Sequence, residues 1–240
     1  ILYDSGNQEV ASSYTGDYIE VVLDADDTYI LAIEGDREDI PVEYSFEIIT
    51  PDELSTPIVF NTLIENGISE KGEQDRFTFT GQQGQRISLD VVNRSFNTSA
   101  QLIGPSGNTI LTNSPFLSVG DVWWYRNDFN PISLPEDGTY QLLIDGFNGT
   151  TDDYSFQLID IDAATTLEVG SAISETLDPG KTFKFYQLAA QEGDRLYLDV
   201  NTSSSALYSN IYGPGNQLIG SFQLEQEHVL PEDGTYYILV

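Results

Sequence analysis

Apolar and polar residues alternate with period two along most of the chain. The pattern is plain in Arg76-Phe77-Thr78-Phe79-Thr80, in Arg86-Ile87-Ser88-Leu89-Asp90-Val91 and in Arg195-Leu196-Tyr197-Leu198-Asp199-Val200. A strand turns successive side chains to opposite faces, so this alternation predicts strands with one apolar face. Helical periodicity is nearly absent. Gly, Pro, Asn and Asp interrupt the strands at close spacing, which predicts an all-β fold of antiparallel sandwiches.

The strands belong to blocks that recur. Leu134-Pro135-Glu136-Asp137-Gly138-Thr139-Tyr140 is identical, residue for residue, to Leu230-Pro231-Glu232-Asp233-Gly234-Thr235-Tyr236. Leu23-Asp24-Ala25-Asp26-Asp27-Thr28-Tyr29 is a degenerate third copy. Pro fixes φ and Gly supplies φ > 0, so the block predicts a tight turn opening into a strand that starts at the Tyr. Leu2 to Asn7, Ile103 to Asn108 and Ile211 to Asn216 form a second recurring turn. Gly84 to Val91 matches Gly193 to Val200, and Tyr44-Ser45-Phe46 matches Tyr154-Ser155-Phe156. At roughly 100 residues the repeat is too long for a solenoid unit and fits a complete domain. The expected division is the second half of a repeat in residues 1–50, a whole repeat in 51–165, and the first two-thirds of another in 166–240. The chain also contains no Met, so a processed product or an excerpt of a longer polypeptide is expected; because it starts and ends inside repeats, either the parent is a longer array or neighbouring chains complete the terminal strands.

These blocks, in this order, resemble the bacterial pre-peptidase C-terminal domain. The pattern runs from an Asp-then-aromatic strand (Asp75 to Phe79) through Gly84 to Val91 and the Gly104 to Gly107 turn. It continues through Pro135 to Tyr140 and ends in the Tyr154 to Phe156 strand. The first copy departs most, with Asp24-Ala25-Asp26-Asp27 in place of Pro-Glu-Asp-Gly. The resemblance implies tandem jelly-roll-like antiparallel sandwiches, secreted or displayed at a bacterial surface. Such domains accompany secreted peptidases or stand in tandem in large acidic surface proteins, cyanobacterial ones included. Some relatives on collagenases bind collagen and calcium.

Charge narrows the partners. The chain carries 39 Asp and Glu against 9 Lys and Arg, a formal net charge of −30. Nucleic acid is an unsuitable partner, because phosphate binding needs clustered Lys and Arg. With no Cys there are no disulfides or thiolate metal sites. No apolar run reaches the roughly 18 residues that would span a bilayer. The 12% aromatic content is nonetheless that of a chain with a core, unlike an acidic disordered tail. The acids fall in every repeat, so they form a surface suited to salt or divalent ions.

Two constellations are candidates for chemistry. Asp24, Asp26 and Asp27 crowd one turn, Asp145 stands near Asp152 and Asp153, and Asp160 near Asp162. Hard oxygens in acidic loops are what Ca²⁺ requires, and a solvated acidic face is the plainer reading. None of these stretches matches an EF-hand loop. The stretch from Asn108 to Leu134 is longer than its counterpart from Asn216 to Leu230, and it holds Phe116, Trp123, Trp124, Tyr125 and Phe129. These aromatics either extend the core or make an inter-domain or inter-subunit contact, which is favoured, or stack on sugar rings. Catalysis has little support: His228 is the only histidine, and it is expected at the surface of a strand edge. Asn93, Asn97, Asn148 and Asn201 head Asn-x-Ser/Thr triplets, which such Asn- and Ser-rich loops produce by chance. The expected function is a non-catalytic structural or assembly module of an extracellular array, filament, sheath or adhesin. The alternatives are a module binding collagen-like protein or polysaccharide, and an accessory domain of a secreted peptidase.

Overall fold

The computed structural model describes residues 1–14, 19, 21–23, 25–35, 41–50, 55–93, 98–113, 131–146, 151–177, 183–199, 209–222 and 226–240. Its elements are strands, and the described residues contain no helix. The fold is all-β, as the alternation requires.

The middle of the chain builds two facing sheets from nine strands: β4 (Ser55–Pro57), β5 (Ile64–Ile68), β6 (Gln74–Gly81), β7 (Arg86–Asn93), β8 (Thr98–Ile103), β9 (Thr109–Asn113), β10 (Ile132–Ser133), β11 (Gly138–Gly146) and β12 (Asp152–Asp160), with labels in chain order along the whole protein. One sheet has the order β4-β6-β11-β8-β9 and the other β10-β7-β12-β5. All pairs are antiparallel except β4 with β6. The alternating positions meet between the sheets: Phe77, Phe79, Tyr140 and Leu142 from the first, Ile87, Leu89, Phe156 and Leu158 from the second. Phe77 meets Phe156 edge-on at 5.2 Å between ring centroids, and Phe79 stacks on Tyr140 at 5.3 Å. Each such side chain contributes about 1.5–3 kcal/mol by leaving water, so this core dominates the stability of the sandwich.

The two flanking stretches repeat parts of this plan. Before it lie β1 (Leu2–Tyr3), β2 (Glu9–Ala11) and β3 (Ile30–Leu31), in the order β2-β1-β3. After it come β13 (Thr165–Thr166), β14 (Phe185–Ala190), β15 (Arg195–Leu198), β16 (Ser209–Tyr212), β17 (Leu218–Phe222), β18 (Gln226–Val229) and β19 (Gly234–Leu239). They form a sheet of order β13-β14-β19-β16-β17 and a pair β15-β18. The orders β3-β1-β2, β11-β8-β9 and β19-β16-β17 are the same arrangement. Register agrees as well: Ile30 faces Tyr3, Gln141 faces Ile103, and Tyr237 faces Tyr212. In each case the first-named residue follows the Tyr of the recurring block.

One alignment shifts by a residue. The sequence lines up Asn7, Asn108 and Asn216, but the left-handed position of the shared turn belongs to Asn7 (φ 59°), Gly107 (φ 81°) and Asn216 (φ 64°). The closing bonds agree: Asn7, Gly107 and Asn216 donate to the carbonyls of Asp4, Gly104 and Gly213. Gly and Asn are the residues that tolerate φ > 0. In the middle copy Gly107 takes that place, and Asn108 moves on to where Gln8 and Gln217 stand.

The Tyr44-Ser45-Phe46 block differs from its match. Tyr154 and Phe156 are core residues of β12, which runs between β7 and β5. Tyr44, Phe46 and Ile48 are exposed at 69%, 60% and 76%, and residues 41–50 form no strand.

Candidate functional site

The recurring turn residues gather at one end of the middle and third units, where three turns meet. In the middle sandwich the backbone of Leu134 exchanges bonds with the Gly84-Gln85 turn (Gly84 N to Leu134 O and Leu134 N to Gln85 O, both 2.8 Å). Asp137 accepts from the Gln83 amide at 2.7 Å. Glu136 accepts from the Ser106 amide and hydroxyl at 3.1 and 2.6 Å, tying in the Gly-Pro turn. Tyr140 is fully buried, and its hydroxyl donates to Glu136 O at 2.6 Å while accepting from Glu136 N at 3.2 Å. This is a tyrosine corner, one hydroxyl serving both backbone groups of a residue four positions upstream. Burial holds that hydroxyl above its ordinary pKa, so it remains a donor throughout the neutral range.

The cluster recurs after it. Tyr236 donates to Glu232 O at 2.8 Å, Asp233 accepts from Glu192 N at 2.7 Å, and Gly193 donates to Leu230 O at 2.8 Å. In both copies the Pro of the Gly-Pro turn lies against the Gly of the Pro-Glu-Asp-Gly turn. A Cβ on Gly138 would stand 2.7 Å from Pro105 Cγ, and one on Gly234 would stand 2.5 Å from Pro214 Cγ. Both glycines also have left-handed-side φ, 143° and 148°.

The degenerate first copy resolves here. Ser5 stands where Pro105 and Pro214 stand, and Asp27 where Gly138 and Gly234 stand. The contact is replaced by a hydrogen bond, Ser5 Oγ to Asp27 Oδ2 at 2.6 Å. Tyr29 still donates to Ala25 O, at 3.0 Å, four residues upstream. The Ser5 hydroxyl, followed by the Thr28 amide, holds the Asp27 carboxyl below the usual range.

The candidate calcium ligands form no common site among the described residues. Asp24 lies outside the described residues. Asp26 is exposed, and Asp27 is engaged as above. Asp145 lies on β11 of one sheet, and Asp152 and Asp153 lie on β12 of the other. Asp152 Oδ1 accepts from the Asp153 amide at 2.9 Å. Among the described residues no three acids or histidines converge on one point. Asp160 and Asp162 are close neighbours, but all four of their oxygens accept protein hydrogen bonds: from the Asp162 amide (3.1 Å), Gln85 Nε2 (3.0 Å), the Arg86 amide (2.8 Å) and the Tyr237 hydroxyl (2.8 Å). The aromatics Phe116, Trp123, Trp124, Tyr125 and Phe129 lie outside the described residues, as do Asn97, Asn148 and Asn201. Asn93 closes β7. His228 is partly buried, in contrast to its expected surface position, because its ring lies where a Gly220 side chain would be, 2.3 Å from such a Cβ.

Three further acids and phenols, fully or partly buried, escaped the sequence reading. Asp75 and Tyr154, both members of the recurring pattern, join the two sheets: the Tyr154 hydroxyl donates to Asp75 Oδ2 at 2.5 Å. Burial raises the Asp75 pKa above the ordinary carboxyl value, and Glu73 adds to the effect while hydrogen bonds from Tyr154 and Asn66 oppose it. Burial and the Asp75 bond raise Tyr154 as well. Asp90 sits on the outward face of β7 by alternation, yet it is 0% exposed and accepts from Gln157 Nε2 at 2.6 Å. Alternation reports which sheet face a residue takes, and here that face is covered.

No protein-family model matches the chain, and no curated protein matches it. Among solved structures, PliG from Aeromonas hydrophila, a periplasmic lysozyme inhibitor of g-type lysozyme, is similar at 14% identity. The match covers 44% of this chain and 94% of that one, with a TM-score of 0.35. The pre-peptidase C-terminal domain of collagenase from Bacillus anthracis is similar at 18% identity over 45% of this chain and 98% of that one, with a TM-score of 0.34. Among the described residues no helix is long and apolar enough to cross a membrane.

Proposed function

We propose that the chain is a non-catalytic structural module of an extracellular bacterial array, filament, sheath or adhesin, built of units of the pre-peptidase C-terminal kind. The observation that carries this reading is the three-turn cluster. Of the recurring block's polar side chains, Glu136 and Asp137 each hold a neighbouring turn, and Tyr140 closes the block's own turn. A repeated motif whose chemistry is internal serves to build the unit. The net charge of −30 then acts between chains: it keeps them apart at low ionic strength and lets them approach where salt or divalent ions screen it. Ca²⁺ would act by neutralising these acidic faces.

The test is electron microscopy of the purified chain in low salt, in high salt, and in Ca²⁺ before and after chelation. Ordered end-to-end assemblies that appear on screening are the expected result. A chain that stays dispersed in every condition overturns the reading. Binding of collagen peptides or polysaccharide that is lost on Trp123→Ala with Trp124→Ala, while the chain stays dispersed, would assign it to ligand binding instead.

A further inference from the structure

A third apolar cluster belongs to neither sandwich core. Ile159 and Ile161, where the chain leaves β12, pack with Phe183, Phe185, Tyr212 and Tyr237 of the following unit. Ile161 is 0% exposed. Polar ties surround the cluster. The Arg86 guanidinium lies over the Tyr237 ring, 4.7 Å from its centroid, and Nη2 donates to Pro214 O at 2.7 Å. Asp162 takes the Tyr237 hydroxyl on one oxygen and the Arg86 amide on the other, both at 2.8 Å. Asn216 Nδ2 donates to Ser133 Oγ at 3.0 Å. Every one of these bonds except the Arg86 amide to Asp162 joins the middle sandwich, or the strand end leaving it, to the unit after it.

The shared register shows what is particular about this face. In β14, Phe185 faces Leu239 as Arg76 faces Leu143 in β6. By the same pairing Phe183 corresponds to Gln74, Tyr237 to Gln141, and Tyr212 to Ile103. The outer face of the middle sandwich's first sheet therefore carries Gln74, Arg76 and Gln141 beside Ile103 and Leu143, with Arg76 Nη1 donating to Gln141 Oε1 at 3.3 Å. The same face of the third unit is aromatic, and that aromatic face is the one covered by Ile159 and Ile161.

We propose that Arg86 and residues 159–162 form a socket for the aromatic outer face of the next unit, so that the middle and third units move as one rigid body. On this reading aromatic residues at the positions of Phe183, Phe185 and Tyr237 mark a unit docked on its predecessor, and polar residues there, such as Gln74, Arg76 and Gln141, mark one that is not. The partner that fits the socket is a sandwich with this aromatic face. The proposal deepens the structural reading above, since a stiff joint gives an array a fixed angle, but it concerns one chain and is tested without assembly.

The chain has no Cys, so two spin labels can be placed without background. Lys71→Cys and Glu192→Cys put exposed labels on the two units, and pulsed electron–electron resonance reads the distance between them in dilute, low-salt solution. One narrow distance peak is expected. Arg86→Ala, which leaves both sandwich cores untouched, should broaden it. Phe183→Gln with Phe185→Arg and Tyr237→Gln, the residues of the undocked face, should broaden it further. Far-UV circular dichroism on each variant shows whether the strands persist; if the triple variant loses them, Arg86→Ala decides alone. A broad distribution in the labelled parent overturns the proposal, and so does a narrow one that Arg86→Ala leaves unchanged.

Discussion

The first sheet of the middle sandwich and the first sheet of the third unit share strand order and register, yet their outer faces differ in chemistry. One carries Gln74, Arg76 and Gln141, and the other carries Phe183, Phe185 and Tyr237. The inner faces do not differ in this way: Phe77, Phe79 and Tyr140 are matched by Tyr186, Leu188 and Tyr236, all buried. The lesson is that the inner face records the fold and the outer face records the neighbour. An antiparallel sheet can face water on one side, so an aromatic outer face implies a cover.

The largest effect expected within the comparison comes from the inner face. Phe156→Ala removes a side chain that is 1% exposed and packs against Phe77. It should cost about 3–5 kcal/mol, measured by urea unfolding; a loss below that range would mean that the two sheets close over the cavity. Next come the turn glycines. Gly138→Ala and Gly234→Ala each drive a methyl into a proline ring and impose a strained φ, with an expected loss of about 1–3 kcal/mol. The first copy offers the converse test: Ser5→Pro and Asp27→Gly should each destabilise alone, and the double variant should recover stability by recreating the Pro–Gly contact. Non-additivity in the thermal midpoint is the readout.

The corner tyrosines follow. Tyr140→Phe and Tyr236→Phe leave part-buried backbone groups of Glu136 and Glu232 without their partner, costing about 1–2 kcal/mol each. Tyr29→Phe acts on an exposed bond and should stay within about 0.5 kcal/mol. Equal losses at all three positions would show that the first copy is as tightly closed as the others.

The smallest effect is one of pH. Because burial raises the folded Asp75 pKa above its unfolded value, the folded state binds the proton more tightly. Stability from this group is therefore full below the ordinary Asp range and falls as pH rises through the raised value. Glu73 works in the opposite sense: its burial is outweighed by bonds from the Ser69 hydroxyl, the Ser69 amide and the Glu70 amide, which hold it low. Its stabilisation is present above the ordinary Glu range and lost as pH falls through the depressed value. Asp75→Asn isolates the first effect. The variant can still accept from Tyr154, and its stability-against-pH curve should lack the decline that sets in above the ordinary Asp range.

Much of this was legible in the chain. Period-two alternation located β6, β7 and β15, and the recurring blocks located the turns, because strand faces and turn backbones are local properties of neighbouring residues. Asp24-Ala25-Asp26-Asp27 in place of Pro-Glu-Asp-Gly read only as a departure, and Ser5 was not linked to it, since Ser5 and Asp27 meet only after folding. The Asp-rich stretches read as candidate ion sites for the same reason. Nothing adjacent to Asp162 announces Tyr237 or Arg86, which come from 75 and 76 residues away.

By itself, then, the sequence determined the all-β class, the repeated order of turns and strands, and which face of each strand turns inward, since backbone sterics and apolar alternation act over a few residues. Tertiary structure alone decided what lies against each face. The Tyr-x-Phe pattern is core at Tyr154 and Phe156, where two strands flank it, and exposed at Tyr44 and Phe46, where none of the described strands does. Asp90 is buried on a face that alternation assigns outward. Arg86 reaches Pro214 across 128 positions of chain. Burial and partnership are properties of surfaces brought together, and no local pattern carries them.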